Sequence, residues 1–172
     1  MRPALRIEPL DGAHDRSRFD CADDVINAYL RTGLDRDVGR YGCVAYMATL
    51  GDRTVVGFYT LSNAVVEKHR LTRSTRDRVP GYANVPATLL GRMGIDRSIA
   101  GQGYGTDLVI DAARRALVAA RSTSGSSLLI VDAKTDRLVG FYARLGFTSL
   151  PDEPRRLVYP MRKIEQLFAH PE

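Results

Sequence analysis

A strand that runs through closely spaced glycines straight into a helix suits few folds, and this chain carries one at Ile95-Asp-Arg-Ser-Ile-Ala-Gly-Gln-Gly-Tyr-Gly-Thr106. The apolar run Thr88 to Asp96 reads as the strand. Thr106 to Arg121 reads as the helix, because Leu108, Val109, Ala112, Ala113, Ala116, Leu117 and Ala120 recur at helical spacing. Gly101, Gly103 and Gly105 let backbone N–H groups converge, with Gln102, Tyr104 and Thr106 in the same turn, and the new helix adds its positive end. Such a turn can hold a pyrophosphate. The spacing is G-x-G-x-G, not the dinucleotide G-x-G-x-x-G, and no Gly-Lys-Ser/Thr follows as a nucleotide-hydrolysing loop requires. A tight turn that holds no ligand would show the same residues.

The rest of the chain alternates strands and helices. Residues 4 to 10 form a first strand, and Asp20 to Leu34 a helix with Val25, Ile26, Tyr29 and Leu30 on one face and Gly33 as its stop. A short second helix or a solvated connection covers Arg31 to Arg40. Cys43 to Leu50 and Arg53 to Val66 form a hairpin turning at Gly51-Asp52. Glu67 to Val85, with Lys68, Arg70, Arg73, Arg76 and Arg78, is expected to be a long, basic, mobile loop holding at most one helical turn. Leu128 to Ala133 reads as a buried strand and Thr135 to Leu145 as a helix stopped by Gly146. Two short strands follow around Phe147 to Leu150 and Leu157 to Met161. The expectation is one α/β domain over residues 1–172, without repeats or linkers.

Composition removes several classes. Cys21 and Cys43 are the only cysteines, which excludes a disulfide framework or a multi-cysteine zinc site. His14, His69 and His170 lack ligand spacing, so no metal is expected. The N-terminus has no apolar signal core and no apolar run approaches about 18 residues, which reads as a soluble, cytoplasmic protein. The net charge of +5 is a mild bias towards anionic partners; 22 of the 25 cations are Arg, whose planar fork suits paired phosphate contacts.

Together with Phe141-Tyr142-Ala143-Arg144-Leu145-Gly146-Phe147, the glycine turn resembles the GCN5-related N-acetyltransferases (GNAT), whose glycine loop holds the pyrophosphate of acetyl-CoA. Ala100 departs from that family's Arg or Gln, and Thr135 stands where Asn is frequent. The likeness is greatest to the tRNA-acetylating toxins of type II toxin-antitoxin modules. It rests on Phe19-Asp20-Cys21, Tyr29-Leu30, Val56-Gly57-Phe58-Tyr59-Thr60-Leu61, Pro86-Ala87, Leu90-Gly91-Arg92-Met93-Gly94-Ile95-Asp96 and Val131-Asp132-Ala133, in that order along nearly the whole chain. The resemblance implies a GNAT fold, a mixed, mostly antiparallel sheet of six to seven strands with flanking helices. It also implies acetyl-CoA as co-substrate, aminoacyl-tRNA as acceptor, and a ribbon-helix-helix antitoxin as partner, with a homodimer possible.

Under that resemblance Tyr142 is the general acid: a phenol with pKa near 10 is protonated at pH 7 and can give its proton to a thiolate whose acid has pKa near 8.5. Its competing role is ordinary aromatic packing. Met93, Gly94 and Ile95 would bind the pantetheine arm through the backbone, and Thr135 would touch the cofactor. Asp96 and Asp132 are weaker candidates for a base, since both sit at strand ends where caps are common. Without a strong base the acceptor should be an α-amine, with pKa about 7.7–8.0 and so partly neutral, rather than a lysine near 10.4. For tRNA the candidates are Lys68, Arg70, Arg73, Arg76 and Arg78, with Arg92 beside the active strand; Arg36, Arg40, Arg155 and Arg156 are weaker. Cys21 reads as a packing residue. Two other readings stand beside this one: a GNAT enzyme acting on a small amine or protein N-terminus, and a non-catalytic module that binds CoA or nucleic acid.

Overall fold

The structure, a computed structural model, describes residues 1–169; His170 lies outside them. Seven strands, β1 (Arg6–Pro9), β2 (Val44–Thr49), β3 (Gly57–Glu67), β4 (Asn84–Ile95), β5 (Leu128–Asp132), β6 (Thr148–Leu150) and β7 (Glu153–Pro160), form one sheet in the order β1-β2-β3-β4-β5-β7-β6. β4 (Asn84–Ile95) and β5 (Leu128–Asp132) run parallel, while β1–β2, β2–β3, β5–β7 and β6–β7 are antiparallel. The chain divides into two compact units, Met1–Ser62 with Gly91–Ala112, and Asn63–Leu90 with the residues from Ala113 onward.

In the first unit, β1 (Arg6–Pro9), β2 (Val44–Thr49) and the start of β3 (Gly57–Glu67) carry a helical segment on a core of Phe19, Ile26, Leu30, Leu34, Met47 and Phe58. Burying an apolar side chain of this size contributes roughly 1.5–3 kcal/mol. Asp23 starts α1 (Asp24–Ala28) by accepting the N–H groups of Val25 and Ile26. Gly33 does not end the helix. The chain widens into a π turn over Tyr29–Gly33 and continues as α2 (Leu34–Gly39). Glycine is needed there for space, because a Cβ at Gly33 would lie 2.8 Å from the Tyr29 ring. The Leu30 carbonyl in the widened turn accepts from Arg16 at 2.8 Å. Val25, expected on the inner face, is exposed.

The hairpin is also longer than a two-residue turn. Beyond β2 the chain passes Gly51-Asp52 and pairs with Asp15, Val55 donating to its carbonyl at 2.9 Å, before β3 begins at Gly57. Arg53 holds this detour by bridging Glu8 and Asp11, next to a fully buried His14. His14 Nδ1 accepts the Asp11 N–H at 3.0 Å, which leaves Nε2 to donate to Glu8.

The second unit packs Val66, Leu71, Val85, Leu128, Ile130, Leu150 and Val158 together. The basic segment is folded, with a 3-10 turn at Lys68–Arg70, α3 (Arg73–Arg76) capped by Thr72, and Leu71 and Thr75 buried. Two inward side chains and a cap suffice to give a polar-looking stretch a fixed shape. α4 (Tyr104–Ser122) contributes to both units, whereas α5 (Asp136–Arg144), β6 (Thr148–Leu150) and β7 (Glu153–Pro160) belong to the second. α6 (Met161–Ala169) has no counterpart in the sequence reading; it follows β7 directly and buries Met161 and Ile164. Among the described residues no helix is long and apolar enough to cross a membrane.

Candidate functional site

Asp96 begins the glycine turn. Its carboxylate accepts the N–H groups of Ser98 and Asp20, both at 2.9 Å. Burial pushes its pKa up, but these hydrogen bonds outweigh it and hold the carboxylate below its usual range. It acts as a cap and is a poor base. The main-chain hydrogen bonds of the turn end with Ala100 donating to Arg97. Beyond it Gly101 (φ 75°) and Gly103 (φ 86°) take left-handed conformations that side chains resist. Among the described residues the N–H groups of Gly101, Gln102 and Gly103 have no acceptor, and all three residues are exposed. The first N–H groups of α4, from Tyr104 through Thr106, likewise lack intrahelical acceptors by construction. Six consecutive residues thus line the head of a 19-residue helix and are suited to a phosphate group. Only the backbone of Tyr104 is available, since its ring is buried and its hydroxyl donates to the Pro3 carbonyl at 2.5 Å.

The strand ahead of the turn is also shaped by what it lacks. A Cβ at Gly91 would lie 2.8 Å from Thr60 Oγ1, the atom that accepts the Arg92 N–H at 3.0 Å. A Cβ at Gly94 would press on Ile26, Phe19 and Phe58 at 3.2–3.3 Å. Met93, Gly94 and Ile95 are half-buried, and the Ile95 side chain lies against Gly57. What Ile95 can offer is therefore its main chain.

In the second unit, Thr135 caps α5 by accepting the Leu138 N–H at 3.2 Å, a structural task for the hydroxyl expected on the cofactor. Tyr142 sits in the last turn of α5, its ring edge-on to Phe141 (5.1 Å) and Phe147 (5.6 Å). Gly146 closes the helix at φ 109°, and Tyr159 covers the spot where its Cβ would stand. The aromatic cluster is real packing, but the hydroxyl is separate from it. Among the described residues no buried side-chain polar atom lacks a partner and no hydrogen bond to the Tyr142 hydroxyl exists, so this oxygen reaches solvent. Burial of the ring pushes the Tyr142 pKa up to about 12, which keeps the proton in place at physiological pH. Asp132 is held by Arg156 through two bonds of 2.8 and 2.9 Å. Burial raises the Cys21 thiol pKa, in keeping with a packing role.

The cationic candidates divide by what they already hold. Arg70 is bound to Asp152 (3.1 Å) and Glu153 (2.6 Å) and is three-quarters buried. Arg76 donates to the Leu71 carbonyl and Arg78 to that of Ser74, both at 2.7 Å through Nη1. Arg73 and Arg78 are exposed, Lys68 and Arg76 half-buried. Arg92 is exposed and stacks over the Tyr29 ring at 4.6 Å. Arg155 and Arg156 are paired with Asp136 and Asp132.

No family model matches the chain. A curated relative from Mycobacterium tuberculosis named tRNA-acetylating toxin is 30% identical over 160 residues, 93% of this chain and 94% of that protein. The chain belongs to the tRNA-acetylating toxins. The probable toxin TacT of Sinorhizobium fredii is 29% identical over 172 residues, 95% of this chain and 94% of that one. Solved members agree. AtaT complexed with acetyl-methionyl-tRNAfMet has a TM-score of 0.87 at 35% identity, over 96% of this chain and 99% of its own. A tyrosine-to-phenylalanine mutant of AtaT, bound to the C-terminus of the antitoxin AtaR and acetyl-CoA, has a TM-score of 0.82 at 33% identity, over 96% and 99%. The seven-stranded mixed sheet is the GNAT-like fold of these tRNA-acetylating toxins.

Within this member of the toxin family, one residue near the turn escaped the sequence reading. Arg2 stands beside Gly103 and pairs with Asp107 at 2.8 Å, a contact across more than a hundred residues for which no local pattern gives a signal.

Proposed function

We propose that this chain is the toxin of a toxin-antitoxin module, an acetyltransferase that moves acetyl from acetyl-CoA to the α-amino group of an aminoacyl-tRNA and so blocks translation. The observation that carries this reading is the open row of N–H groups at Gly101–Gly103, in a chain related along nearly its whole length to toxins solved with acetyl-CoA and with acetylated tRNA. We place the whole chain in one acetyltransferase domain acting in the cytoplasm, with a ribbon-helix-helix antitoxin as partner and a homodimer as its assembly.

Acetyl-CoA supplies an acyl group activated as a thioester. Gly101, Gln102, Gly103, Tyr104, Gly105 and Thr106 hold its pyrophosphate by backbone N–H groups, and the main chain of Met93, Gly94 and Ile95 lines up the pantetheine arm. As the neutral amine attacks the thioester carbon, the C–N bond forms and the C–S bond breaks; Tyr142 gives its proton to the departing thiolate, the nitrogen loses its surplus proton to water, and the tyrosinate regains one from water. With Asp96 and Asp132 held in hydrogen bonds, neither is free to act as a strong base. The amine must then arrive neutral, which suits an α-amine of pKa about 7.7–8.0. Arg73, Arg78, Arg92 and Lys68 are the cations left to meet tRNA phosphate, with Arg70 and Arg76 keeping the loop in shape. Incubation with labelled acetyl-CoA and charged tRNA should place label on the aminoacyl group. Bound CoA without such label would sink the acceptor assignment.

A further inference from the structure

The cradle proposed for the cofactor phosphates has a charge problem within its own sequence. From Ser98 to Thr106 there is no Lys or Arg, and Arg97 is engaged with Asp20. Asp107 stands in the first turn of α4, where its negative charge opposes any anion at the helix head. The N-terminal segment changes this balance. Arg2 Nη2 reaches both Asp107 oxygens, at 3.0 and 2.8 Å, and its guanidinium lies 4.2 Å from the centroid of the Tyr104 ring. It also lies 3.9 Å from where a Cβ of Gly103 would stand. The segment is tied down next door, where the Tyr104 hydroxyl donates to the Pro3 carbonyl.

The Arg2 side chain keeps 38% of its surface exposed, and its ion pair with Asp107 is made through Nη2 while the guanidinium rests on the Tyr104 ring. Nε and Nη1 keep N–H groups on different edges of the guanidinium, so either can donate to a phosphate oxygen while Nη2 holds Asp107. We infer that Arg2 is a phosphate-binding residue of the acetyl-CoA site, brought to the glycine turn from the far end of the sequence. This rests on the acetyl-CoA reading above. Arg2 then supplies the charged donor that the loop lacks, and its bond to Asp107 orients the guanidinium. The phosphate it meets belongs to the pyrophosphate or to the 3′-phosphate, which present the same oxygens.

The test is calorimetric binding of CoA and of 3′-dephospho-CoA to the full chain and to Arg2→Ala, Arg2→Lys and Arg2→Ala/Asp107→Asn, at low and high salt. Arg2 is an exposed ion-pair member, so Arg2→Ala should fold. It should bind CoA about tenfold more weakly at low salt, with the deficit shrinking to about twofold at high salt as screening removes the contact. Arg2→Lys should recover part of the loss, and the double variant should stay weak. An equal deficit with 3′-dephospho-CoA assigns the contact to the pyrophosphate; its disappearance assigns it to the 3′-phosphate. Unchanged affinity in Arg2→Ala, a deficit indifferent to salt, or full recovery in the double variant would each overturn the inference. A wild-type chain that binds no CoA overturns the acetyl-CoA reading itself, whereas wild-type binding that Arg2→Ala matches removes only Arg2.

Discussion

The glycine turn at 101–105 and the aromatic helix end at 141–147 both join a helix to its neighbour by way of glycine, yet they make function in opposite ways. In the first, the useful groups are backbone N–H donors, and the side chains are absent or turned elsewhere, as Tyr104 is towards Pro3. In the second the backbone is fully used in the helix and its closure at Gly146, and the useful group is one hydroxyl on a packed ring. A backbone site depends on conformation and tolerates changes of side-chain identity, which is why Ala100 in place of Arg or Gln need not abolish it. A side-chain site depends on identity and tolerates anything that keeps the ring in place.

The largest expected effect breaks the side-chain half alone. Tyr142→Phe keeps the ring and its packing but removes the proton, so kcat should fall by about 10²–10⁴ with CoA affinity within about twofold. The matching pH profile of the wild type should rise through about pH 7.7–8.0 as the amine loses its proton. It should then stay level through pH 10, because burial holds the Tyr142 pKa up at about 12. A fall beginning near pH 9–10 would mean that another acid operates.

Next in size, Gly103→Ala attacks the backbone half. Forcing a Cβ into a φ of 86° costs about 1–2 kcal/mol, so the turn should relax and the KM for acetyl-CoA should rise about 5–30-fold with kcat little changed. If kcat falls instead and KM holds, the division between the two regions is wrong. The smallest effect concerns the tRNA side. Arg73→Ala/Arg78→Ala should raise the KM for charged tRNA several-fold and flatten its salt dependence, whereas Arg114→Ala/Arg121→Ala, whose cations already meet Phe168 and Glu165, should change neither.

Periodic and glycine-marked elements could be read without coordinates: α4 from its apolar stripe, α5 from Thr135 and Gly146, β5 from its apolar run. Gly33 misled because glycine serves equally as a stop and as space for a neighbour, and only the Tyr29 ring at 2.8 Å distinguishes the two. In segment 67–85 the helical turn that the sequence allowed is α3, while charge marks an exposed face without revealing the inner one, here filled by Leu71 and Thr75. α6 was missed because no cap or glycine separates it from β7.

Residue order alone was enough to establish the family likeness, the G-x-G-x-G turn and the tyrosine beside Gly146-Phe147, since each depends on neighbours along the chain. Which cations are free, which carboxylates are engaged, and that Arg2 stands at the glycine turn were decided only in three dimensions. Ion pairs such as Arg70 with Glu153 or Arg2 with Asp107 join residues 83 and 105 positions apart. No periodicity spans such distances; the fold brings those charges together, and Coulomb attraction and hydrogen bonding then select the partners.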